Sequence, residues 1–189
     1  MLMPAMAATI SLLRGVNVGG NNLVAMGTLR DLYNSIGMPN AQTYVQSGNV
    51  VCLAKGKNLA WLGKQIEDAI ERKLKFRPEV VLRDASEMKA VIAKNPFAKR
   101  PDIPPNKLLV IFLNREPDPQ TRELVLGMKF GAEEVRFQGR EIYIYFPEGV
   151  GKSKLWPAVM KALKKSGTGR NWNTVMKLSD MASKLEKAG

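Results

Sequence analysis

Apolar positions along the chain follow the spacings of strands and helices in a definite order. Short apolar and β-branched runs predict strands over residues 9–13, 42–46, 49–53 and 79–82. Apolar side chains at three- and four-residue spacing predict helices over residues 25–36 and, after a cap at Asn58, over residues 59–76. The order strand, helix, strand, strand, helix, strand is that of the ferredoxin-like, or split βαβ, arrangement.

The same order begins again in the second half of the chain. Strands and helices are predicted over residues 107–113, 119–128, 134–138, 141–146 and 152–165. A helix over residues 85–94 and a proline-rich linker separate the halves, and both predicted hairpins place Gln and Gly at the turn. We therefore expect an α+β protein of tandem ferredoxin-like halves with antiparallel sheets, produced by internal duplication, over residues 1–98 and 99–189.

The end of the chain departs from this repeat. Thr174 begins a further helix with apolar side chains on one face. No clear closing strand is visible over residues 167–173, so the second half is expected to end in an additional C-terminal helix.

Composition restricts the chemistry more than it selects a function. The 189 residues are 45% hydrophobic and 24% charged, which is typical of a folded globular protein. There is no histidine, so zinc sites and Ser/His or Cys/His catalysis are not expected, and we predict neither a metal nor a cofactor. Cys52 is the only cysteine and lies in an apolar run, which predicts a buried thiol and fits a reducing, cytoplasmic location.

The charge of the chain favours some partners over others. No apolar run approaches the roughly 18 residues of a membrane span, so no membrane partner is expected. Residues 1–8 lack a basic start and a sustained apolar core, and they are interpreted as an extension or an alternative start rather than a secretion signal. The net charge of +12 would attract phosphorylated or polyanionic partners, although basic proteins without such ligands are also common.

A candidate anion site lies at residues 149–154 (GVGKSK), which follow a predicted strand and open a predicted helix. The spacing of a Walker loop is absent, because Phe and Pro stand where that loop would begin. A simpler anion pocket fits, in which Lys152 and Lys154 supply charge and Ser153 supplies a hydroxyl. The alternative is an exposed turn whose Ser and Gly serve the helix's own N–H groups.

Residues 149–179 contain basic side chains without a single Asp or Glu. These are Lys152, Lys154, Lys161, Lys164, Lys165, Arg170 and Lys177. Trp156 and Trp172 lie among them, and such rings could stack bases while the cations meet phosphates. The alternative is that both tryptophans belong to the core and that the lysines form the solvated face of an amphipathic helix.

The loop over residues 14–22 is rich in glycine and asparagine, which favour turns and left-handed backbone. Arg14 and Asn17 could join Arg170 and Asn171 at one end of the sheets and form a polar pocket. The alternative is a loop that Asn and Arg side chains hold together for structural reasons. No side chain stands out as a general acid or base.

Four stretches of the chain together resemble a bacterial family called domain of unknown function 1697. They are LRGVNVGG at residues 13–20, YVQSGNV at 44–50, NPF at 95–97 and TGRNWNT at 168–174. The resemblance runs over residues 9–178. It implies an α+β fold of ferredoxin-like halves and a family without an established reaction, and it supplies no catalytic residues.

We predict a non-catalytic protein that binds nucleic acid or a nucleotide through phosphate-directed contacts. The predicted binding residues are Arg14, Asn17, Lys152, Ser153, Lys154, Arg170, Asn171 and Trp172. The alternative is a small enzyme acting on a phosphorylated or anionic metabolite, with Arg14, Lys152 and Arg170 as substrate clamps. An interaction module that uses a sheet edge is a third hypothesis.

Overall fold

Eight strands and six helices follow one another in the computed structural model, which describes residues 6–55 and 58–188. The strands are β1 (Met6–Leu13), β2 (Gln42–Thr43), β3 (Asn49–Lys55), β4 (Val80–Asp84), β5 (Leu108–Phe112), β6 (Glu134–Gln138), β7 (Glu141–Tyr145) and β8 (Thr168–Asn171). The helices are α1 (Met26–Ser35), α2 (Leu59–Leu74), α3 (Ala85–Ala93), α4 (Pro119–Leu126), α5 (Leu155–Ala162) and α6 (Trp172–Ala188). Of the expected N-terminal extension, residues 6–8 belong to β1 and residues 1–5 lie outside the described residues.

The chain divides into two compact units. The first holds residues 1–89 and 177–189, and the second holds residues 90–176. Strands β1 to β4 lie in the first unit, and strands β5 to β8 lie in the second. The halves expected from the sequence, residues 1–98 and 99–189, and their origin by duplication stay predictions.

The sheet of the first unit is antiparallel, with the strand order β2-β3-β1-β4. Successive side chains of a strand point to opposite faces of the sheet, and side chains of residues that are paired across strands lie on the same face. One face carries Leu13, Cys52 and Leu82, which form a single apolar core with Leu32 of α1 and Ile70 of α2. Helices α1 and α2 therefore pack on one face of this sheet.

Helix α2 shows how closely local sequence sets an element. Its first turn is capped as predicted, because the side-chain oxygen of Asn58 accepts the N–H of Trp61 at 3.0 Å. The helix ends where Lys75 takes a left-handed backbone with φ 65°. Between these limits Ile66 and Ile70 form part of the buried stripe that the spacing predicts.

The second unit has the same arrangement of strands. Its antiparallel sheet has the order β6-β7-β5-β8, which corresponds strand by strand to the order in the first unit. Ile111 and Ile142 of the sheet pack with Val125 of α4 and Val159 of α5 in a second apolar core. The predicted α+β class with two ferredoxin-like halves and a C-terminal helix is confirmed.

Strand β8 corrects the expectation that no strand closes the second half. Arg170 pairs with Val110 and Gly169 with Ile111, so this strand continues the sheet beside β5. The segment lacks an apolar alternation because Gly169 lies under the ring of Trp156, where a Cβ atom would come within 2.9 Å of Cη2. Its buried side chains, Thr168 and Arg170, are polar. Backbone pairing forms this strand without the usual side-chain pattern.

Two predicted elements are shorter than expected because of left-handed backbone. Strand β2 stops at Thr43, since Val45 has φ 50°, a conformation that a strand cannot contain. The helix predicted over residues 152–165 is reduced to α5, because Ser153 has extended backbone with ψ 132° before its start, and Lys164 and Lys165 have φ 52° and 59° after its end.

Candidate functional site

A cleft of about 340 Å³ opens between two connections of the second unit. One connection, over residues 127–133, joins α4 to β6, and the other, over residues 146–154, joins β7 to α5. The lining residues that bear aromatic, hydroxyl or charged groups are Phe130, Glu133, Phe146, Glu148, Lys152, Ser153 and Lys154. Three of the predicted binding residues therefore line one cleft.

Ser153 joins the two connections. Its hydroxyl donates to Oε1 of Glu133 at 2.7 Å and accepts the backbone N–H of Leu155 at 3.0 Å. The other oxygen of Glu133 lies beside Gly131, where a Cβ atom would come within 2.8 Å of Oε2. Residue 131 must therefore be small if the carboxylate is to keep its place against Ser153.

The backbone amides of the second connection mostly serve the chain itself. The N–H groups of Gly149, Lys152 and Ser153 donate to carbonyl oxygens of the same connection at 3.0, 3.4 and 3.2 Å. In the first turn of α5, the N–H of Leu155 is bonded to Ser153, and Pro157 has no N–H. An anion in the cleft would therefore be held mainly by side-chain charge.

Exposed lysines continue from the cleft along α5. Among the residues the structure describes, none of their ammonium groups forms an ion pair with a carboxylate. Lys154 and Lys161 are two helical turns apart, about 10 Å along the axis. We call this group the lysine row, which consists of Lys152, Lys154, Lys161, Lys164 and Lys165.

Arg170 is buried on β8, with 7% of its surface exposed. Burial lowers the pKa of its guanidinium to about 10, which leaves it charged at neutral pH. Its Nη1 donates to Oγ1 of Thr168 at 2.6 Å and to the carbonyl oxygen of Gly169 at 2.8 Å. Because Arg170 pairs with Val110, its side chain lies on the face of the sheet opposite α4 and α5. Its part in ligand binding stays a prediction.

Asn171 and Trp172 lie at the end of the second sheet where the cleft opens. There β8 ends beside Leu109 at the start of β5, and β5 starts beside the end of β7. Two strand spacings, about 10 Å, separate β8 from β7. Asn171 caps α6, because its side-chain oxygen accepts the N–H of Thr174 at 2.9 Å, and the half-buried Trp172 is the first residue of that helix.

Trp156 packs against the apolar core of the second unit. Its ring covers Gly169, and a Cβ atom on that glycine would also come within 3.1 Å of Leu109. The sheet thus occupies one face of this ring, as expected of a core tryptophan.

Arg14 and Asn17 lie in the first unit. Arg14 is half-buried, with Nη1 3.9 Å from a carboxylate oxygen of Glu79. The amide of Asn17 donates to the carbonyl oxygens of Val24 at 3.0 Å and Gln46 at 2.9 Å, and it accepts the N–H of Val24 at 2.7 Å. These bonds tie the loop over residues 14–24 to the turn before β3. The expected junction with the two polar residues of β8 stays a prediction.

Sequence reasoning missed the cleft residues of the first connection. Glu133 lies 20 positions before Ser153, and only the fold brings the two together. Phe130 is 51% exposed, whereas apolar patterning assigns aromatic residues to the core. Phe130 lies beside Gly131 in the gap between a predicted helix and a predicted strand, and this position could have indicated an exposed loop residue.

Other reactive groups of the first unit are buried. Burial raises the pKa of the Cys52 thiol to about 12 and the pKa of the Tyr33 hydroxyl above its usual range. A thiol with this pKa is protonated at neutral pH and is a poor nucleophile. Within residues 6–55 and 58–188, no group of three His, Cys, Asp or Glu side chains is placed to hold a metal ion. No helix in the same ranges is long and apolar enough to cross a membrane.

Comparison with known proteins agrees with the fold and assigns no activity. A family model described as protein of unknown function (DUF1697) matches residues 6–143. No curated protein matches the chain. Among solved structures, the conserved bacterial protein SP0830 from Streptococcus pneumoniae is similar, with 23% identity and a TM-score of 0.73 over 94% of this chain and 99% of that one. At this identity the similarity shows the fold alone.

Proposed function

The chain belongs to the DUF1697 family of proteins of unknown function, and we propose that it binds nucleic acid or a nucleotide without catalysing a reaction. The phosphates of the ligand contact the lysine row of the second unit. The supporting observation is that Lys152 and Lys154 are exposed at the cleft without a paired carboxylate among the described residues. The carboxylates of Glu133 and Glu148 also line the cleft, and a phosphate group would pair directly with the two ammonium groups.

The position of these two lysines relative to α5 makes the observation informative. Lys161, Lys164 and Lys165 lie at the C-terminal end of the helix, where the helix dipole favours cations and no ligand is needed to explain them. Lys154 is the N-cap residue of α5, where the helix dipole disfavours a cation by about 0.3–1 kcal/mol, and Lys152 ends the short 3-10 helix before it. The dipole of α5 therefore does not favour Lys154, whereas an anionic ligand would.

The catalytic alternative has less support in the geometry. Its proposed clamps were Arg14, Lys152 and Arg170, and of these only Lys152 lines the cleft. We place the binding protein in the cytoplasm, a reducing compartment that suits the free thiol of Cys52.

Titration of a fluorescently labelled single-stranded oligonucleotide, followed by anisotropy, tests the proposal. Contacts to between two and five phosphates should give a slope of log K against log salt of roughly −1.4 to −3.5. Raising the salt from about 50 mM to about 200 mM should then weaken binding by a factor between about 7 and about 130.

An uncharged backbone provides the control for this titration. A methylphosphonate oligonucleotide of the same sequence keeps the bases and removes the phosphate charge, so it should bind weakly at both salt concentrations. Equal affinity for the two oligonucleotides, or no binding of the charged one at low salt, would contradict the proposal.

A further inference from the structure

Phe130 is an aromatic side chain that the core of the second unit does not use. It is 51% exposed, and it is not a member of the apolar core formed by α4, α5 and the sheet. Leaving half of a phenyl ring in water forgoes stabilisation that burial would provide. The ring nevertheless lines the cleft, together with the neighbouring Gly131 and Glu133.

The two walls of the cleft carry different chemistry. The wall from the first connection presents Phe130, and the wall from the second presents Lys152 and Lys154. The hydrogen bond from Ser153 to Glu133 at 2.7 Å holds the walls together. An aromatic ring and two ammonium groups therefore line one small space, together with the carboxylates of Glu133 and Glu148.

A single nucleotide has matching chemistry, with a planar base at one end and a phosphate at the other. The volume of about 340 Å³ lies within the range of small-ligand pockets and is far too small for a duplex. Glu148 also lines the cleft, and its carboxylate can accept a hydrogen bond from the exocyclic amino group of adenine or cytosine. A bare phosphate would use the lysines alone and leave the aromatic wall in water.

We propose that the cleft binds one nucleotide unit, with the base stacked on Phe130 and the phosphate held by Lys152 and Lys154. This inference rests on the proposed function and names the part of the ligand that the cleft takes. The ring of Trp156 is covered on one face by Gly169, whereas Phe130 lines the cleft and is 51% exposed.

Calorimetric titration with adenosine 5′-monophosphate and with ribose 5-phosphate tests the stacking contact at constant phosphate charge. The parent protein should bind the nucleotide at least about 5-fold more tightly, as expected for stacking of one base. Phe130→Ala should reduce this preference to whatever Glu148 alone provides and leave the affinity for ribose 5-phosphate unchanged. Leu124→Ala is the matched control, since Leu124 is a 57% exposed apolar residue of α4 that does not line the cleft.

The outcomes separate this inference from the function on which it rests. A parent protein without preference for the nucleotide, or a Phe130→Ala variant that keeps the preference, would overturn the stacking contact. If the labelled oligonucleotide still binds with steep salt dependence in that case, phosphate-directed binding stands and only the nucleotide cleft fails. If the oligonucleotide, adenosine 5′-monophosphate and ribose 5-phosphate all fail to bind at low salt, both proposals fail.

Discussion

Replacing Gly167 with alanine is expected to destabilise the protein by roughly 2–5 kcal/mol. Gly167 has φ +81°, and a Cβ atom there would lie 2.5 Å from Cδ2 of Leu113 and 2.7 Å from the carbonyl oxygen of Phe112. Phe112 is paired on both sides in the sheet, so its carbonyl cannot move away at low cost. Urea unfolding should show a lower midpoint with an unchanged slope.

Gly139→Ala is the matched control for this prediction. Gly139 also has a positive φ, +58°, but nothing lies within 4 Å of a Cβ atom built on it. It should therefore show only the backbone cost of about 1–2 kcal/mol. Equal midpoint shifts for the two variants would contradict the close packing of residue 167 against β5.

The double variant Lys152→Glu/Lys154→Glu is expected to bind the single-stranded oligonucleotide about 30-fold more weakly than the parent, a loss of about 2 kcal/mol. Each substitution reverses the charge of a side chain and so replaces an attraction to phosphate by a repulsion. Screening by salt reduces the total electrostatic loss of binding free energy. Both lysines are exposed, so the variant should keep the fold. Anisotropy at low salt and a thermal melt of each protein measure the two effects.

Lys55→Glu/Lys73→Glu provides the comparison at equal net charge. These lysines are exposed on β3 and α2 of the first unit, and their reversal lowers the net charge of +12 by the same amount. We expect a clearly smaller loss of affinity for this variant. The same loss for both double variants would mean that overall charge, and not the cleft, attracts the ligand.

Sequence alone predicted the elements whose apolar spacing is regular. The start of α2 and its cap at Asn58 followed from the repeat and from the short polar side chain before it, whereas its end lies at Leu74 and not at the predicted residue 76. The fold class followed because the element order of the first half begins again in the second. Each of these elements is stabilised by its own capping residues and by one apolar face. Both features can be recognised in the local sequence.

The remaining elements depended on contacts between distant residues. Strand β8 owes its existence to pairing with β5 and to the ring of Trp156 above Gly169, which no local pattern shows. The early end of β2 depends on the left-handed backbone of Val45, a β-branched residue that normally favours strands.

The candidate site was predicted on one wall only. Lys152, Ser153 and Lys154 are adjacent in sequence and follow a strand, so their role as a possible anion site was visible. The opposite wall was not, because Phe130 and Glu133 are distant in sequence from residues 152–154 and only the fold brings them to the cleft. The sequence left Trp156 and Trp172 open as either stacking or core residues, because burial is set by the whole fold.

A map of backbone amide chemical shifts in the ¹⁵N-labelled protein, recorded as the single-stranded oligonucleotide is added, locates the bound ligand on the chain. We expect the largest changes in residues 146–154 and 161–165, with changes around Phe130 when the base enters the cleft. Changes concentrated in residues 14–24 and 44–48 of the first unit, with the cleft amides unmoved, would contradict the proposal.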